Sequence, residues 1–223
     1  RQLITNVSHD LRGPLTSIEG YLAAIEEGLA NDPQKAKQYL SVIRNKSREL
    51  AQLVEDLLLY SRLESGHYPL NLSTVQCEEW LREALAYYEP DIAAAELSVE
   101  AEIPDQTSLI KMDIRKMNQV IGNLVQNTIR YAHQGTCLQV SLQTTAHNIV
   151  MTFTNEGTPI DPEDLPHVFE RFYRGKSQNE GIGIGLGLAI AAEIVRAHGG
   201  DVRAANLPGG KVAFILKLPA VNL

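Results

Sequence analysis

The sequence predicts an α+β protein in two parts, a long helical hairpin followed by a separate domain of mixed strands and helices. Apolar residues recur three and four apart through the first 66 residues, the period of helices with one buried face. Beyond residue 67, helical stretches alternate with short segments of strict apolar and polar alternation, the period of half-buried strands. The expected division is therefore 1–66 and 67–223.

The first helix is expected from Leu3 to Leu29, with Ile4, Val7, Leu11, Leu15, Ile18, Leu22, Ile25 and Leu29 along one face. Gly13-Pro14 is expected to disturb it. Asn31-Asp32-Pro33 then interrupts, with Asp32 suited to an N-cap and Pro33 to the first helical position. A second helix follows to about Glu64, where Ser65-Gly66 ends it. It carries Leu40, Ile43, Leu50, Val54 and Leu57 on one face, and Leu53 and Leu58 widen the stripe beyond what one hairpin covers. A second copy covers the rest most simply, predicting a homodimer built on a four-helix bundle.

In the second part, Trp80–Tyr88, Asp113–Ala132 and Leu186–His198 read as helices. Leu97–Ile103, Leu138–Gln143 and Asn148–Thr154 read as strands. Asp201–Ala205 and Lys211–Leu218 form a closing hairpin around Pro208-Gly209-Gly210.

Composition narrows the function. A 44% hydrophobic content supports a buried core, and a net charge of -7 lacks the cationic surplus that nucleic-acid binding needs, so no nucleic-acid partner is expected. Cys77 and Cys137 stand far apart without ligand-spaced neighbours, so neither a disulfide framework nor a zinc site is expected, which suits a reducing cytosol. No stretch has the apolar length of a membrane span. The chain opens at Arg1-Gln2-Leu3, already inside the apolar pattern, and further domains are expected upstream.

Three segments carry chemistry. In Gly181-Ile182-Gly183-Ile184-Gly185-Leu186-Gly187-Leu188, glycines alternate with aliphatics and lead into a helix. Glycines let backbone N–H groups approach phosphate, and a helix N-terminus favours the anion. A flexible linker would carry Ser and other polar spacers instead. No Gly-Lys-Ser/Thr follows, so this is not a P-loop. On the helix from Asp113, Asn123 and Asn127 lie four apart on one face, where two carboxamide oxygens can converge on a cation such as the Mg²⁺ that accompanies ATP, and Arg130 follows to meet phosphate. An Asn pair on a helix is more often a plain polar face. His9 lies about 200° from Val7 around the helix, so it is expected to be exposed, with Asp10 beside it.

Together these residues resemble the histidine kinases of two-component signalling along essentially the whole chain. Asn6 to Leu15, around His9, resembles the phosphoacceptor box; Asn123 to Tyr131 resembles the N box, Phe169 to Arg174 the F box, and Gly183 to Leu188 the second glycine box. The resemblance implies a dimerisation and phosphotransfer hairpin, then an α/β sandwich ATP-binding domain of the gyrase and histidine-kinase type. It implies that His9 is the nucleophile, Asp10 orients it, and Arg174 offsets transition-state charge. Asn123, Asn127, Arg130, Tyr131, Asn155, Gly157, Ile160, Gly183, Gly185, Leu186, Gly187 and Leu188 would hold ATP, with Asn127 on Mg²⁺. The phosphoryl group would pass to an aspartate of a response regulator receiver domain, and the chain would be the cytoplasmic region of a membrane-anchored bacterial sensor.

Two departures matter. Relatives begin the first glycine box with Asp and run Asp-x-Gly-x-Gly, whereas this chain has Asn155-Glu156-Gly157-Thr158-Pro159-Ile160. Asn155 can still accept a hydrogen bond through its carboxamide oxygen, so binding is expected to survive but weaken. Gly13 stands where relatives commonly carry Thr or Asn, which predicts weak phosphatase activity toward the regulator. The rival readings are a hydrolytic ATPase on the same fold, which would want Glu where Asn123 stands, and a nucleotide-sensing scaffold without catalysis. His133, His167 and His198 are read as surface or local structural residues.

Overall fold

The computed structural model describes residues 2–64, 69–145, 147–173, 175 and 185–221, without the side chains of 2–10, 49, 52, 55–57 and 59–64. Helix α1 runs Gln2–Glu26. It stops three residues before the expected end, because Gly28 adopts φ +74°. Gly28 N then donates to Ile25 O at 3.1 Å and Leu29 N to Ala24 O at 2.9 Å, the paired bonds of a glycine C-terminal cap. The expected disturbance at Gly13-Pro14 does not end the helix. Pro14 sits inside α1 and is buried, and the turns on either side keep their helical bonds although proline contributes no N–H. Helix α2 runs Pro33–Glu64, and Asp32 Oδ1 accepts from Gln34 N at 3.0 Å as its N-cap.

The single apolar stripe expected on α1 divides into two. Leu11, Ile18 and Ile25, each seven apart, are half-buried toward the hairpin, while Leu15, Leu22 and Leu29, also seven apart, stay 43–53% exposed. The same division separates Ile43, Leu50 and Leu53 from exposed Leu40, Val54 and Leu58 on α2. A straight helix with apolar residues at both heptad positions presents one row inward and leaves the other unpartnered. Tyr21 and Tyr39 pack edge to face across the hairpin with ring centroids 5.1 Å apart.

The second part contains β1 (Ser73–Gln76), α3 (Cys77–Ala94), β2 (Ser98–Glu102), β3 (Leu109–Met112), α4 (Ile114–Tyr131), β4 (Cys137–Thr144), β5 (Asn148–Glu156), a 3-10 turn (Leu165–His167), α5 (Gly187–Ala197), β6 (Asp201–Leu207) and β7 (Lys211–Pro219). Strands β1 and β3 pair antiparallel, and the main sheet has the order β2-β4-β5-β7-β6. Only β2 and β4 run parallel within it. Helix α3 is longer than expected in both directions and passes through Pro90. The strands β1 and β3, at four residues each, were not anticipated.

One sheet face is covered by α3, α4 and α5. Its strands contribute Leu138, Val140, Leu142, Ile149, Met151, Phe153, Phe214, Leu216 and Leu218, all buried against helix residues such as Leu81, Ile121, Val125 and Ile190. Each such side chain contributes about 1.5–3 kcal/mol relative to exposure. Helix α2 lies against α5, and Leu53 packs on this core. Asp113 caps α4 by accepting from Lys116 N at 3.2 Å, and its own N–H donates to His198 Nε2 at 2.9 Å. His198 Nδ1 must therefore carry the proton it donates to Ile194 O at 2.7 Å, so this histidine joins the end of α5 to the start of α4. Among the described residues, no helix is long and apolar enough to cross a membrane.

Candidate functional site

The amphipathic period of α4 turns Ile121, Leu124 and Val125 into the core and leaves Asn123 and Asn127 half-buried, one turn apart, on the side facing α5 and the end of β5. Asn123 Nδ2 donates to Gly187 O at 2.8 Å, tying α4 to the first turn of α5. A Cβ placed on Gly187 would come 3.7 Å from Asn123 Oδ1, so the two elements touch through backbone and carboxamide. Leu186, the N-cap of α5, is buried and its side chain makes no cap bond to the helix N–H groups. Such a terminus is a site for phosphate.

The other end of α4 meets the end of β5. Gly157 bridges Ala132, and His133 N donates to Glu156 O at 2.9 Å. A Cβ on Gly157 would stand 2.5 Å from Tyr131 O, so only glycine allows this approach. The approach brings buried Asn155 and Gly157 beside Tyr131, at the end of the helix that carries Asn127 and Arg130. Arg130 is exposed in the last turn of α4, where its charge also complements the helix dipole. Ile160 is half-buried against the core.

Gly185 adopts φ +70° and its carbonyl accepts from Phe172 N at 3.1 Å; a Cβ there would lie 2.6 Å from Tyr173 O. The second glycine segment thus seats directly on the Phe169–Tyr173 stretch, and Phe172 takes φ +58° to allow it. Tyr173 donates its hydroxyl to buried Asp164, and that bond, followed by burial, pushes the phenol up to about 12. His167 Nδ1 lies 2.7 Å from Glu170 Oε1, and its ring centroid is 5.5 Å from that of Tyr173. His167 is therefore a local structural residue and His198 a buried one, while His133 is exposed.

The structure joins Asn123 to Gly187 and sets the Asn155–Gly157 end of β5 against Tyr131, with Asn127 and Arg130 on the same helix as these and Leu186 and Leu188 flanking Gly187; Gly185 rests on Tyr173, and Ile160 is bonded to Asn206. Arg174 and Gly183 lie outside the described residues, as do the side chains of His9 and Asp10, including the expected exposure of His9. Sequence reading missed Asn206, whose side chain bonds both polar atoms of the Ile160 backbone, and Asp164. The available signals were one polar residue closing an alanine-rich strand and a carboxylate buried before Pro166. A groove of about 860 Å³ opens between Leu165–Arg171, α5 and β6. None of the predicted nucleotide residues lines it; its charged walls are Arg171, Arg196 and Arg203 with Glu170 and Glu193.

No cluster of three or more His, Cys, Asp or Glu side chains able to hold a metal exists among the described residues. The neutral oxygen donor of Asn127 fits an ion whose remaining ligands arrive with a nucleotide's phosphates.

Residues 112–222 match the family model of the histidine kinase-, DNA gyrase B- and HSP90-like ATPases, and residues 1–66 match that of the His Kinase A (phospho-acceptor) domain. Fold and family models together define an ATP-binding domain of that class joined to a phosphoacceptor hairpin. The chain is 33% identical to the sensor histidine kinase WalK of Bacillus subtilis over 98% of its own length and 36% of that protein. It is also 33% identical to the sensor histidine kinase TrcS of Mycobacterium tuberculosis, over 100% of this chain and 44% of that one. The Acinetobacter baumannii histidine kinase AdeS superposes with a TM-score of 0.76 at 29% identity, over 96% of this chain and 98% of that structure. Histidine kinase ThkA in complex with response regulator protein TrrA shares the fold with a TM-score of 0.76 at 24% identity, over 99% of this chain and 62% of that one. The chain belongs to the sensor histidine kinases of two-component signalling, and it spans less than half the length of the WalK and TrcS proteins it matches.

Proposed function

We propose that this chain transfers the γ-phosphoryl group of ATP to His9 and then to an aspartate of a response regulator receiver domain. The observation that carries the reading is the Asn123–Gly187 bond of 2.8 Å, which holds the asparagine face of α4 beside the N-terminus of α5, whose N-cap Leu186 makes no side-chain bond to it. The hairpin unit is assigned to 1–66 and the nucleotide-binding unit to 67–223.

In this reading the N–H groups at Gly187 and Leu188 receive phosphate oxygens, Arg130 faces the phosphates, and Asn155 accepts the adenine amino group through its side-chain oxygen. Ile160 and Tyr131 wall the base. Mg²⁺ carried with the phosphates would offset their charge, with Asn127 as its protein oxygen. A neutral imidazole nitrogen of His9 attacks the γ-phosphorus as the bond to the bridging oxygen of ADP breaks, and Asp10 holds the proton on the other ring nitrogen. Arg174 is assigned to the transferring group. The aspartate carboxylate later displaces the imidazole from phosphorus, regenerating His9.

Hydrolysis is the weaker alternative. Asn123 has no basic atom, and its nitrogen is committed to Gly187, so it cannot take a proton from water. The exposed Leu15, Leu22, Leu29, Leu40, Val54 and Leu58 support a homodimer through the hairpin. The sensor kinases it matches are more than twice as long, which leaves room for sensing and membrane segments, and the chain is assigned to the cytoplasmic side of such a protein.

Incubation with γ-labelled ATP and Mg²⁺ tests the reading. The expected result is an acid-labile, base-stable label that is absent from His9→Gln. Free phosphate without protein label would overturn it in favour of hydrolysis.

A further inference from the structure

We propose that Asn206 is a positioning residue for the nucleotide site, holding in place the segment that closes the pocket beyond Gly157. The proposal rests on the ATP-binding reading above and deepens it.

The segment leaves β5 at Glu156 and crosses to Ile160 with Thr158 and Pro159 exposed. Pro159 has no N–H, so the crossing cannot secure itself through its own backbone there. It is secured from outside at two points. Gly157 N donates to Gly210 O at 3.0 Å, and the Ile160 peptide is gripped by one side chain: Ile160 N donates to Asn206 Oδ1 at 3.0 Å, and Asn206 Nδ2 donates to Ile160 O at 2.6 Å. Both anchors come from the β6–β7 hairpin, Asn206 near the end of β6 and Gly210 in the turn.

A primary carboxamide is the side chain suited to this task, because it offers an acceptor and a donor in one plane at the spacing of a peptide's N–H and C=O. Aspartate of the same size would keep the acceptor for Ile160 N but set a second oxygen against Ile160 O. Alanine would release both contacts. The side-chain hydrogen bonds of Asn206 among the described residues go to Ile160, so its effect should fall on nucleotide affinity through Ile160 and leave the phosphoryl step alone.

The test is autophosphorylation of the full 223-residue chain at graded ATP concentrations. Asn206→Ala should raise the KM for ATP about tenfold, the scale of two lost hydrogen bonds, while kcat at saturating ATP stays within about twofold. Asn206→Asp should raise KM at least as much with the packing volume retained. Wild-type KM in both variants would overturn the proposal. So would a loss of kcat in step with a lost folded fraction, measured by thermal unfolding without nucleotide, since that is the mark of a merely structural residue. Failure of the wild-type chain to bind ATP would instead remove the nucleotide reading itself, and this inference with it.

Discussion

The hairpin and the sandwich treat their apolar residues in opposite ways. In the sandwich Phe153, Met151, Ile190 and Leu81 are almost wholly inaccessible, closed in by one sheet and three helices from the same chain. In the hairpin, Leu15, Leu22, Leu29, Leu40, Val54 and Leu58 are each at least two-fifths exposed. A two-helix unit has too little interior to cover both heptad rows, which is the ground for the proposed association, whereas the core residues of the sandwich are covered within one chain.

The sharpest contrast comes from truncation in the complete core. Phe153→Ala should cost the sandwich about 3–5 kcal/mol, read as a denaturant midpoint that does not change with protein concentration. On the hairpin, Leu22→Glu should weaken self-association about a hundredfold, close to 2.7 kcal/mol, and leave ATP affinity per chain untouched. Sedimentation would check it, and a monomeric wild-type mass at micromolar concentration would dissolve the contrast altogether. His198→Ala should cost about 1–3 kcal/mol by leaving the buried Asp113 N–H without its acceptor. An unchanged unfolding midpoint would show that the α4–α5 joint is held elsewhere.

The smallest effect is a matter of pH. Tyr173 keeps its proton up to about 12 in the folded chain against 10.0 for an ordinary phenol. Its bond to Asp164 therefore stabilises the fold fully below pH 10 and ceases to do so as pH rises through about 12. The stability difference between wild type and Tyr173→Phe should shrink across that window. A difference that holds constant from pH 9 to 12 would mean that the hydroxyl bond does not report on folding.

Elements long enough to show a period were legible in the sequence. Helices α1, α2, α4 and α5 and strands β2 and β4 to β7 follow from apolar spacing, and Asp32 marked the start of α2. Strands β1 and β3 span four residues each, too few to show alternation, and exist because they pair with one another. Pro90 concealed the second half of α3, since a proline within a helix has the same local signature as one that ends it. The split of the leucine stripe into an inward and an outward row depends on how α2 lies against α1, which periodicity alone does not specify. Of the site, motif residues such as Asn123, Gly157 and Gly187 were readable because glycine and asparagine spacing carries backbone chemistry. Asn206 was not, because its partner Ile160 lies 46 residues away and the pairing arises only from the sheet order.

The meeting of Phe172 with Gly185 has a consequence for how such chains change over generations. A side chain at position 185 would meet both a φ of +70° and the Tyr173 carbonyl 2.6 Å from its Cβ, so a substitution there is opposed twice over. Lineages that keep Phe172 N bonded to Gly185 O are therefore held to glycine at that position, whatever changes around it.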